Sequence, residues 1–99
     1  MAHGAHIMLD CTGAVGIEGS WMLSLMEGAV DSSGARRVHS HNEEFDGSVS
    51  PLGFASVVLL DESHVSAHCY SEKGWLAIDV FTCGGTDPAR IIEVIQKEL

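Results

Sequence analysis

The stretch from residue 54 to residue 82 constrains the fold most, because it is rich in apolar residues and has only two polar breaks. Asp61-Glu62-Ser63 forms the first break and Glu72-Lys73-Gly74 the second. Both breaks are short enough for tight hairpin connections, in which neighbouring strands run antiparallel. Residues 54–60 are strongly apolar, and in the two later segments the residues divide between two faces with the two-residue period of strands. We therefore predict three consecutive antiparallel strands over residues 54–60, 64–70 and 75–82.

The rest of the chain predicts the other elements of one small domain. Residues 5–11 alternate like a half-buried strand, residues 17–33 have helical spacing with Gly34 as a stop, and residues 35–40 read as a short strand. The polar stretch 41–51 is interpreted as a loop. Asp87-Pro88 opens a closing helix, with Asp as cap and Pro in the first turn. The order β-α-β-β-β-β-α over residues 1–99 predicts an α+β, two-layer sandwich: an antiparallel sheet with helices packed on one face.

The composition excludes several classes of function. A formal net charge of -9 argues against nucleic-acid binding, which needs clustered Lys and Arg, and suits a small cationic substrate. No apolar run reaches the ~20 residues of a membrane-spanning helix. The first ten residues lack the pattern of a signal peptide, and three cysteines without CxxC spacing predict reduced thiols. These features favour a cytoplasmic protein.

The polar break before residue 64 is the first candidate site. A surface turn is the ordinary explanation for such a sequence. However, His64, Ser66 and His68 share one face of the following strand, so two histidines project on the side of the serine-bearing turn. If that strand pairs with residues 75–82 around Gly74, Cys83 lies near the strand end that carries Ser63. A thiol near histidines can exchange protons, although many buried cysteines are inert.

These residues resemble a known family, the short prokaryotic type of S-adenosylmethionine decarboxylase. The resemblance extends from His6-Ile7 to the closing helix. It is most specific in three places: Asp61-Glu62-Ser63-His64, His68, and residues 79–84 with the sequence DVFTCG. Glu-Ser-His alone is a weak motif, whereas the combination with a second His four residues later and a Cys fifteen residues after that is strong.

The resemblance implies that the chain cuts itself between Glu62 and Ser63, into a β chain of residues 1–62 and an α chain of residues 63–99. Ser63 Oγ attacks the Glu62 carbonyl, His68 assists removal of the Cα proton, and Ser63 becomes a pyruvoyl group. That group serves as the cofactor of a decarboxylase, with Cys83 as proton donor. Asp61, Glu62 and His64 are candidates for holding the cationic substrate. A homodimer, polyamine (spermidine) synthesis and no metal are also implied.

The chain departs from the family pattern in ways that keep other functions open. The family's second serine before the cleavage site is Ala55 here, with Ser56 beside it, and a one-residue slip puts a side chain on the other face. Ornithine and arginine remain alternative substrates. No pair of residues is identified for stacking on an adenine ring: the candidates Phe54, Tyr70, Trp75 and Phe81 are more often core residues.

Two hypotheses from other classes are kept. The first is an uncleaved, catalytically silent relative that binds or regulates, which Ala55 motivates. The second is a small metal-binding module built on His39-x-His41 with His3, His6 or acidic neighbours, because HxH in a strand places both rings on one face.

Overall fold

The computed structural model describes residues 4–83 and 85–99. They form five strands and two helices in the predicted order β-α-β-β-β-β-α. The elements are β1 (Gly4–Cys11), α1 (Gly19–Ser33), β2 (Arg37–Phe45), β3 (Gly53–Leu60), β4 (His64–Tyr70), β5 (Trp75–Cys83) and α2 (Pro88–Glu98). No helix in these two ranges is long and apolar enough to cross a lipid bilayer.

The strands form one antiparallel sheet in the order β1-β5-β4-β3-β2. The three strands predicted over residues 54–60, 64–70 and 75–82 are neighbours, joined by hairpins. β1 pairs with β5, so the first and last strands in sequence are adjacent, and Gly4 lies opposite Cys83. The chain therefore brings its beginning to the strand end where the polar break lies.

Both helices pack on the same face of the sheet, which confirms the predicted two-layer α+β sandwich. α1 lies against β2 and β3, α2 lies against β1 and β5, and the helices contact each other. The inward residues of the central strands alternate as predicted because one side is buried and the other is not. We call this the covered face. Its strand residues in the core are Phe54, Val58, Leu60, Val65, Ala67, Cys69, Leu76, Ile78 and Val80.

The opposite side of the sheet, which no described element covers, is called the open face. It combines polar and titratable side chains with exposed apolar ones, among them Met8, Leu59, Tyr70 and Trp75. By pairing and alternation it includes His6, Met8, Asp10, His39, His41, Glu43, Ala55, Val57, Leu59, His64, Ser66, His68, Tyr70, Trp75, Ala77, Asp79, Phe81 and Cys83. The candidate catalytic residues of the strands lie on this side.

The second strand is longer than its sequence predicts. Residues 41–45, expected to be part of a loop, continue β2 to Phe45. The inward position Asn42 is polar like its outward neighbours, so the apolar–polar alternation disappears although the extended backbone does not. Asn42 Oδ1 accepts a 2.6 Å hydrogen bond from the hydroxyl of Ser56, which is only 2% exposed. A polar pair with one buried and one half-buried member thus replaces the apolar contact that marks a strand in sequence.

The helix ends largely follow their sequence signals. Gly34 adopts the left-handed conformation that ends α1 (φ 84°), and Asp87 caps α2 by accepting a hydrogen bond from the Ala89 N–H at 3.0 Å. α1 begins at Gly19 rather than at residue 17, a difference within the usual fraying of a helix start. The predicted bend at Cys83-Gly84-Gly85 falls partly on Gly84, which lies outside the described residues.

Candidate active site

The polar break between β3 and β4 is a tight turn. The Leu60 N–H donates a 2.8 Å hydrogen bond to the carbonyl oxygen of Ser63 and closes the four-residue loop. Asp61 and Glu62 are exposed, while Ser63 is half-buried. No non-glycine residue among those described has positive φ, so the turn has no left-handed strain. The peptide bond between Glu62 and Ser63 therefore lies in a turn at the end of two inner strands, between an exposed and a half-buried residue.

Ser63 is held against the end of β5. The backbone N–H of Cys83 donates a 2.9 Å hydrogen bond to Ser63 Oγ, across 20 residues of sequence. The contact exists because the turn brings the chain back just where the neighbouring strand ends. The structure thus places Ser63 and Cys83 together, and the bond fixes the hydroxyl while leaving its proton available for donation.

Asp61 is engaged by a cation from outside the turn. Arg36 donates from Nε at 3.1 Å and from Nη2 at 2.5 Å to its two carboxylate oxygens. These hydrogen bonds, with the attraction between the charges, hold the pKa of Asp61 below its usual range. Because Arg36 already neutralises it, Asp61 is a poorer cation ligand than the sequence predicts. Glu62 keeps an exposed side chain.

An open cleft of about 270 Å³ lies beside this turn. Its lining includes Arg36, Glu62, Ser63 and Cys83, so the cleft offers a carboxylate, a hydroxyl and a thiol to a small molecule. A larger cleft of about 680 Å³ lies toward the other end of β3; the described residues of its lining include carboxylates and hydroxyls but no cysteine or histidine.

His64 points away from the turn, into a cluster on the open face. Its Nε2 lies 3.0 Å from one carboxylate oxygen of Asp79, and His6 Nε2 contacts the other oxygen. Phe81 packs against both imidazoles, with ring centroids 5.5 Å from His6 and 5.8 Å from His64. His64 therefore directs its Nε2 toward Asp79, which weakens the expectation that it binds the substrate.

His68 lies farther from Ser63 than the sequence implies. Both histidines of β4 are on the open face, but His68 comes four residues after His64, or about 13 Å along an extended strand. Its cross-strand neighbours are Ala55 and Ala77. The straight strand separates residues that are close in sequence, so one chain brings Ser63 and Cys83 together but does not bring His68 to them.

The two candidates for the missing serine lie on opposite faces. Ala55 is on the open face directly opposite His68, whereas Ser56 is buried against Asn42 on the covered side. A sheet pleat reverses the side-chain direction at each residue, so the hydroxyl of Ser56 cannot take the place of one at Ala55. No hydroxyl from residue 55 or 56 therefore lies beside His68 on the open face.

The four aromatic residues considered for stacking on an adenine ring lie in different surroundings. Phe54 is a core residue, 3% exposed. Tyr70 and Trp75 are exposed and meet edge to face at 6.3 Å, with Lys73 over the Trp75 ring. They lie at the strand ends remote from the Ser63 turn. Phe81 lies two residues before Cys83 but is occupied by the histidine rings.

Among residues 4–83 and 85–99, no set of three potential metal ligands forms around His39-x-His41, the alternative kept from the sequence. His41 contacts Glu43 at 3.0 Å, while His3 lies outside the described residues. The residues that do converge are His6, His64 and Asp79, whose potential ligand atoms all lie within 4.8 Å of one another. Sequence spacing could not reveal this set, because it combines three strands whose pairing brings distant residues together.

Sequence reasoning also missed Arg36 and underrated Asp79. Asp79 was the only charged residue in an otherwise apolar strand, a signal that a charged partner or a site was needed. Arg36 belongs to the only basic pair of the chain, but nothing in the sequence placed it beside Asp61, 25 residues away.

Comparison with known proteins identifies the family. A family profile described as S-adenosylmethionine decarboxylase matches residues 5–99. The chain is 43% identical over 76 residues to an S-adenosylmethionine decarboxylase proenzyme of Persephonella marina, covering 76% of this chain and 54% of that protein. It is 46% identical over 72 residues to a proenzyme 2 of Bacillus cereus, covering 72% of this chain and 55% of that protein.

The fold agrees with the sequence match. A crystal structure of the adenosylmethionine decarboxylase from Aquifex aeolicus superposes with a TM-score of 0.82 at 32% identity, over 97% of this chain and 79% of that one. The chain spans about half the length of the curated relatives it matches. The profile match over residues 5–99 and the shared fold lead to one conclusion: this chain belongs to the S-adenosylmethionine decarboxylase family.

Proposed function

We propose that this chain is a self-cleaving proenzyme which becomes a pyruvoyl-dependent decarboxylase of S-adenosylmethionine. Cleavage between Glu62 and Ser63 gives a β chain of residues 1–62 and an α chain of residues 63–99. The observation that carries the proposal is the 2.9 Å hydrogen bond from the Cys83 N–H to Ser63 Oγ. It joins the residue to be converted and the proposed proton donor at the edge of one cleft.

The residues of the turn support the cleavage chemistry. Ser63 Oγ is the nucleophile, and its attack on the Glu62 carbonyl replaces the amide bond by an ester. The sheet fixes both sides of the turn, so the reaction needs little reorganisation. Removal of the Ser63 Cα proton then expels Glu62 as a carboxylate and leaves a dehydroalanine, whose imine form is hydrolysed by water to the pyruvoyl group with loss of ammonia. Glu62 is exposed, which allows the new chain end to separate from residue 63.

The same site fits the group formed at position 63. A pyruvoyl carbonyl supplies an electron sink for the pair of electrons left when carbon dioxide departs. Cys83 lies beside position 63 and is suited to return a proton to the substrate carbon. The Glu62 side chain and its new terminal carboxylate provide negative charge for a cationic substrate, with Arg36 holding Asp61 in place beside them.

The choice of substrate rests on the relatives, since their printed names specify S-adenosylmethionine. A sulfonium compound carries positive charge, which the acidic chain, with a net charge of -9, attracts. Ornithine and arginine share that charge and are retained as outcomes of the test. We place the reaction in the cytosol and in the synthesis of polyamines such as spermidine.

His68 has a role in this scheme if two copies of the chain pack through their open faces. Within one chain His68 is about 13 Å along the strand from His64, too far to act on Ser63 directly. The exposed Leu59, Tyr70 and Trp75 give the open face apolar area that a partner can bury. We therefore infer a homodimer in which His68 of the partner subunit assists proton removal at Ser63.

Intact-mass measurement of Ser63→Ala tests the cleavage. The wild-type chain should appear as two pieces of residues 1–62 and 63–99, and the variant should remain whole and release no carbon dioxide from labelled S-adenosylmethionine. Ser66→Ala, on the open face of β4, the strand that follows Ser63, is the control and should cleave normally. A wild-type chain that stays whole would instead support the silent, binding relative. Release of carbon dioxide from ornithine or arginine alone would reassign the substrate.

Mixing two inactive variants tests the dimer. Ser63→Ala retains His68, and His68→Ala retains Ser63. When both chains are produced together, the His68→Ala chain should be cut, because the other copy supplies the histidine. If it is cut no faster than when produced alone, the histidine does not act across a dimer.

A further inference from the structure

A cluster of three potential metal ligands lies on the open face, on the strand that follows Ser63 and the two strands beside it. His6 is on β1, Asp79 on β5 and His64 on β4, which are adjacent strands of the sheet. The Nε2 atoms of both histidines approach the Asp79 carboxylate, one at each oxygen. All three ligand atoms lie within 4.8 Å of one another. Three hydrogen-bonded strands therefore hold the cluster on a rigid base.

Packing restrains the two imidazoles as well. The rings are 6.2 Å apart and nearly perpendicular, at 85°. Phe81 lies opposite His6 on one side and opposite His64 on the other, and its ring contacts both. A cation would thus find two nitrogens whose directions are already set, at a lower cost in side-chain entropy than flexible surface histidines.

The cluster is open to solvent without being fully exposed. The side chains of His6, His64 and Asp79 are 50%, 37% and 30% exposed. Within the described structure Asp79 Oδ1 is buried and lacks a hydrogen bond of acceptable geometry, although His6 Nε2 is in contact with it. An ion coordinated by both atoms would replace this direct contact, because two ligand atoms of one ion lie farther apart than two atoms in contact.

The donor atoms indicate which cation fits. Two imidazole nitrogens and one carboxylate oxygen suit ions of intermediate softness such as Zn²⁺, Co²⁺ and Ni²⁺, whereas Mg²⁺ and Ca²⁺ prefer all-oxygen sites. Three protein ligands with an open fourth position are also a common arrangement for zinc. On binding, each imidazole would carry its proton on Nδ1 and offer Nε2 to the ion.

We propose that His6, His64 and Asp79 form a binding site for one divalent cation of the zinc class, with water in the remaining position. The site shares His6 with the alternative kept for His39-x-His41, but it uses His64 and Asp79 instead of that pair. It does not rest on the proposed decarboxylase activity, since ion binding is measured directly and in either the whole or the cleaved chain. One of the three ligands, His64, directly follows Ser63 in the chain.

Titration of tag-free, metal-stripped protein with Co²⁺ and Zn²⁺ tests the site. We expect one equivalent of Co²⁺ to produce visible ligand-field absorption, and Zn²⁺ to displace it. His6→Gln should weaken Zn²⁺ binding at least ~10-fold, since even the loss of a group that only supports a metal ligand typically costs 10–100-fold. Mg²⁺ should give no saturable binding in the same concentration range.

His39→Gln is the matched control, because His39 is an exposed histidine of the same open face on the edge strand β2. It should bind Zn²⁺ like the wild type. Equal weakening in both variants, or no saturable binding to the wild type, would overturn the proposal and leave Asp79 as a hydrogen-bond acceptor for two imidazoles. If His6→Gln fails to fold, NMR of ¹⁵N-histidine in the wild type decides: Zn²⁺ must shift the signals of two ring Nε2 atoms.

Discussion

The two faces of the sheet use the same strands for different purposes. On the covered face, Leu76, Ile78 and Val80 of β5 are at most 2% exposed and pack under the helices. On the open face, the intervening Asp79, Phe81 and Cys83 are half-buried and belong to the site or its histidine cluster. The difference shows that stability and chemistry are separated by a single residue step along the chain, since the pleat reverses side-chain direction each time.

A pair of neighbouring leucines offers the strongest test of that separation. Leu60 is 6% exposed on the covered face, and Leu59 is 41% exposed on the open face. In the monomer of an uncleaved Ser63→Ala background, at a protein concentration too low for the inferred dimer, Leu60→Ala should lower the free energy of unfolding by roughly 2–5 kcal/mol, whereas Leu59→Ala should cost below about 1 kcal/mol. Urea denaturation at matched protein concentration measures both. Equal losses would mean that the open face is buried as deeply in solution.

The cysteines extend the comparison to catalysis. Cys83→Ala on the open face should still allow cleavage but slow decarboxylation about 10²-fold, the usual contribution of a general acid. Cys11 has the pKa of its thiol raised, mainly by burial and also by the nearby charge of Asp10, and it alternates with the open-face residues of β1. Cys11→Ala should therefore leave turnover unchanged. Steady-state rates with labelled substrate distinguish the two; an unimpaired Cys83→Ala would remove its assigned role.

Substitutions at Ala55 and Ser56 compare the effect of a hydroxyl on the open face with that of one on the covered face. Ala55→Ser places an Oγ beside His68 on the open face, and it should accelerate self-cleavage about fivefold if the hydroxyl adds one net hydrogen bond of about 1 kcal/mol to the reaction. Ser56→Ala removes a hydroxyl buried against Asn42, so it should lower stability without slowing cleavage of the folded chain. The rate is followed by mass spectrometry of freshly produced protein. Faster cleavage from Ser56→Ala alone would contradict this assignment of faces.

The smallest effect is expected from a substitution that breaks the Arg36–Asp61 ion pair, at the turn between β3 and β4. Arg36→Gln should return the pKa of Asp61 toward its ordinary value, because the hydrogen bonds and positive charge that lower it are lost. Since the pKa is lowered in the folded chain, the pair stabilises it above the pKa of an unfolded Asp, and this stabilisation is lost as pH falls through the folded pKa. Carboxyl NMR titration measures the shift.

Asp46 supplies the internal reference for that titration. Its pKa is also lowered, by hydrogen bonds from the Ser48 hydroxyl and backbone N–H, and neither depends on Arg36. The Asp46 pKa should therefore stay where it is in Arg36→Gln. A parallel change at both carboxyls would indicate a general change in the fold rather than the loss of one ion pair.

The sequence by itself determined the order of elements, the antiparallel pairing of residues 53–83 and the family. Each of these follows from local signals: two-residue alternation, short polar turns, Gly34 and Asp87 at helix ends, and the Glu-Ser-His motif with Cys83. The sequence did not predict that residues 41–45 belong to β2, because the polar Asn42–Ser56 pair takes the place of an apolar contact there. Local patterns report burial only where the buried residue is apolar.

The sequence placed Cys83 near Ser63 through the hairpin around Gly74, but only the tertiary structure decided their bond and the other contacts of the site. The contacts of Ser63 with Cys83, Arg36 with Asp61, and Asp79 with His6 and His64 span 15 residues or more of sequence and depend on strand register. Register also separated His68 from Ser63, although the two are five positions apart. Distance along a strand grows by about 3.3 Å per residue, while distance across it stays near 5 Å, so sequence proximity and spatial proximity diverge within a sheet.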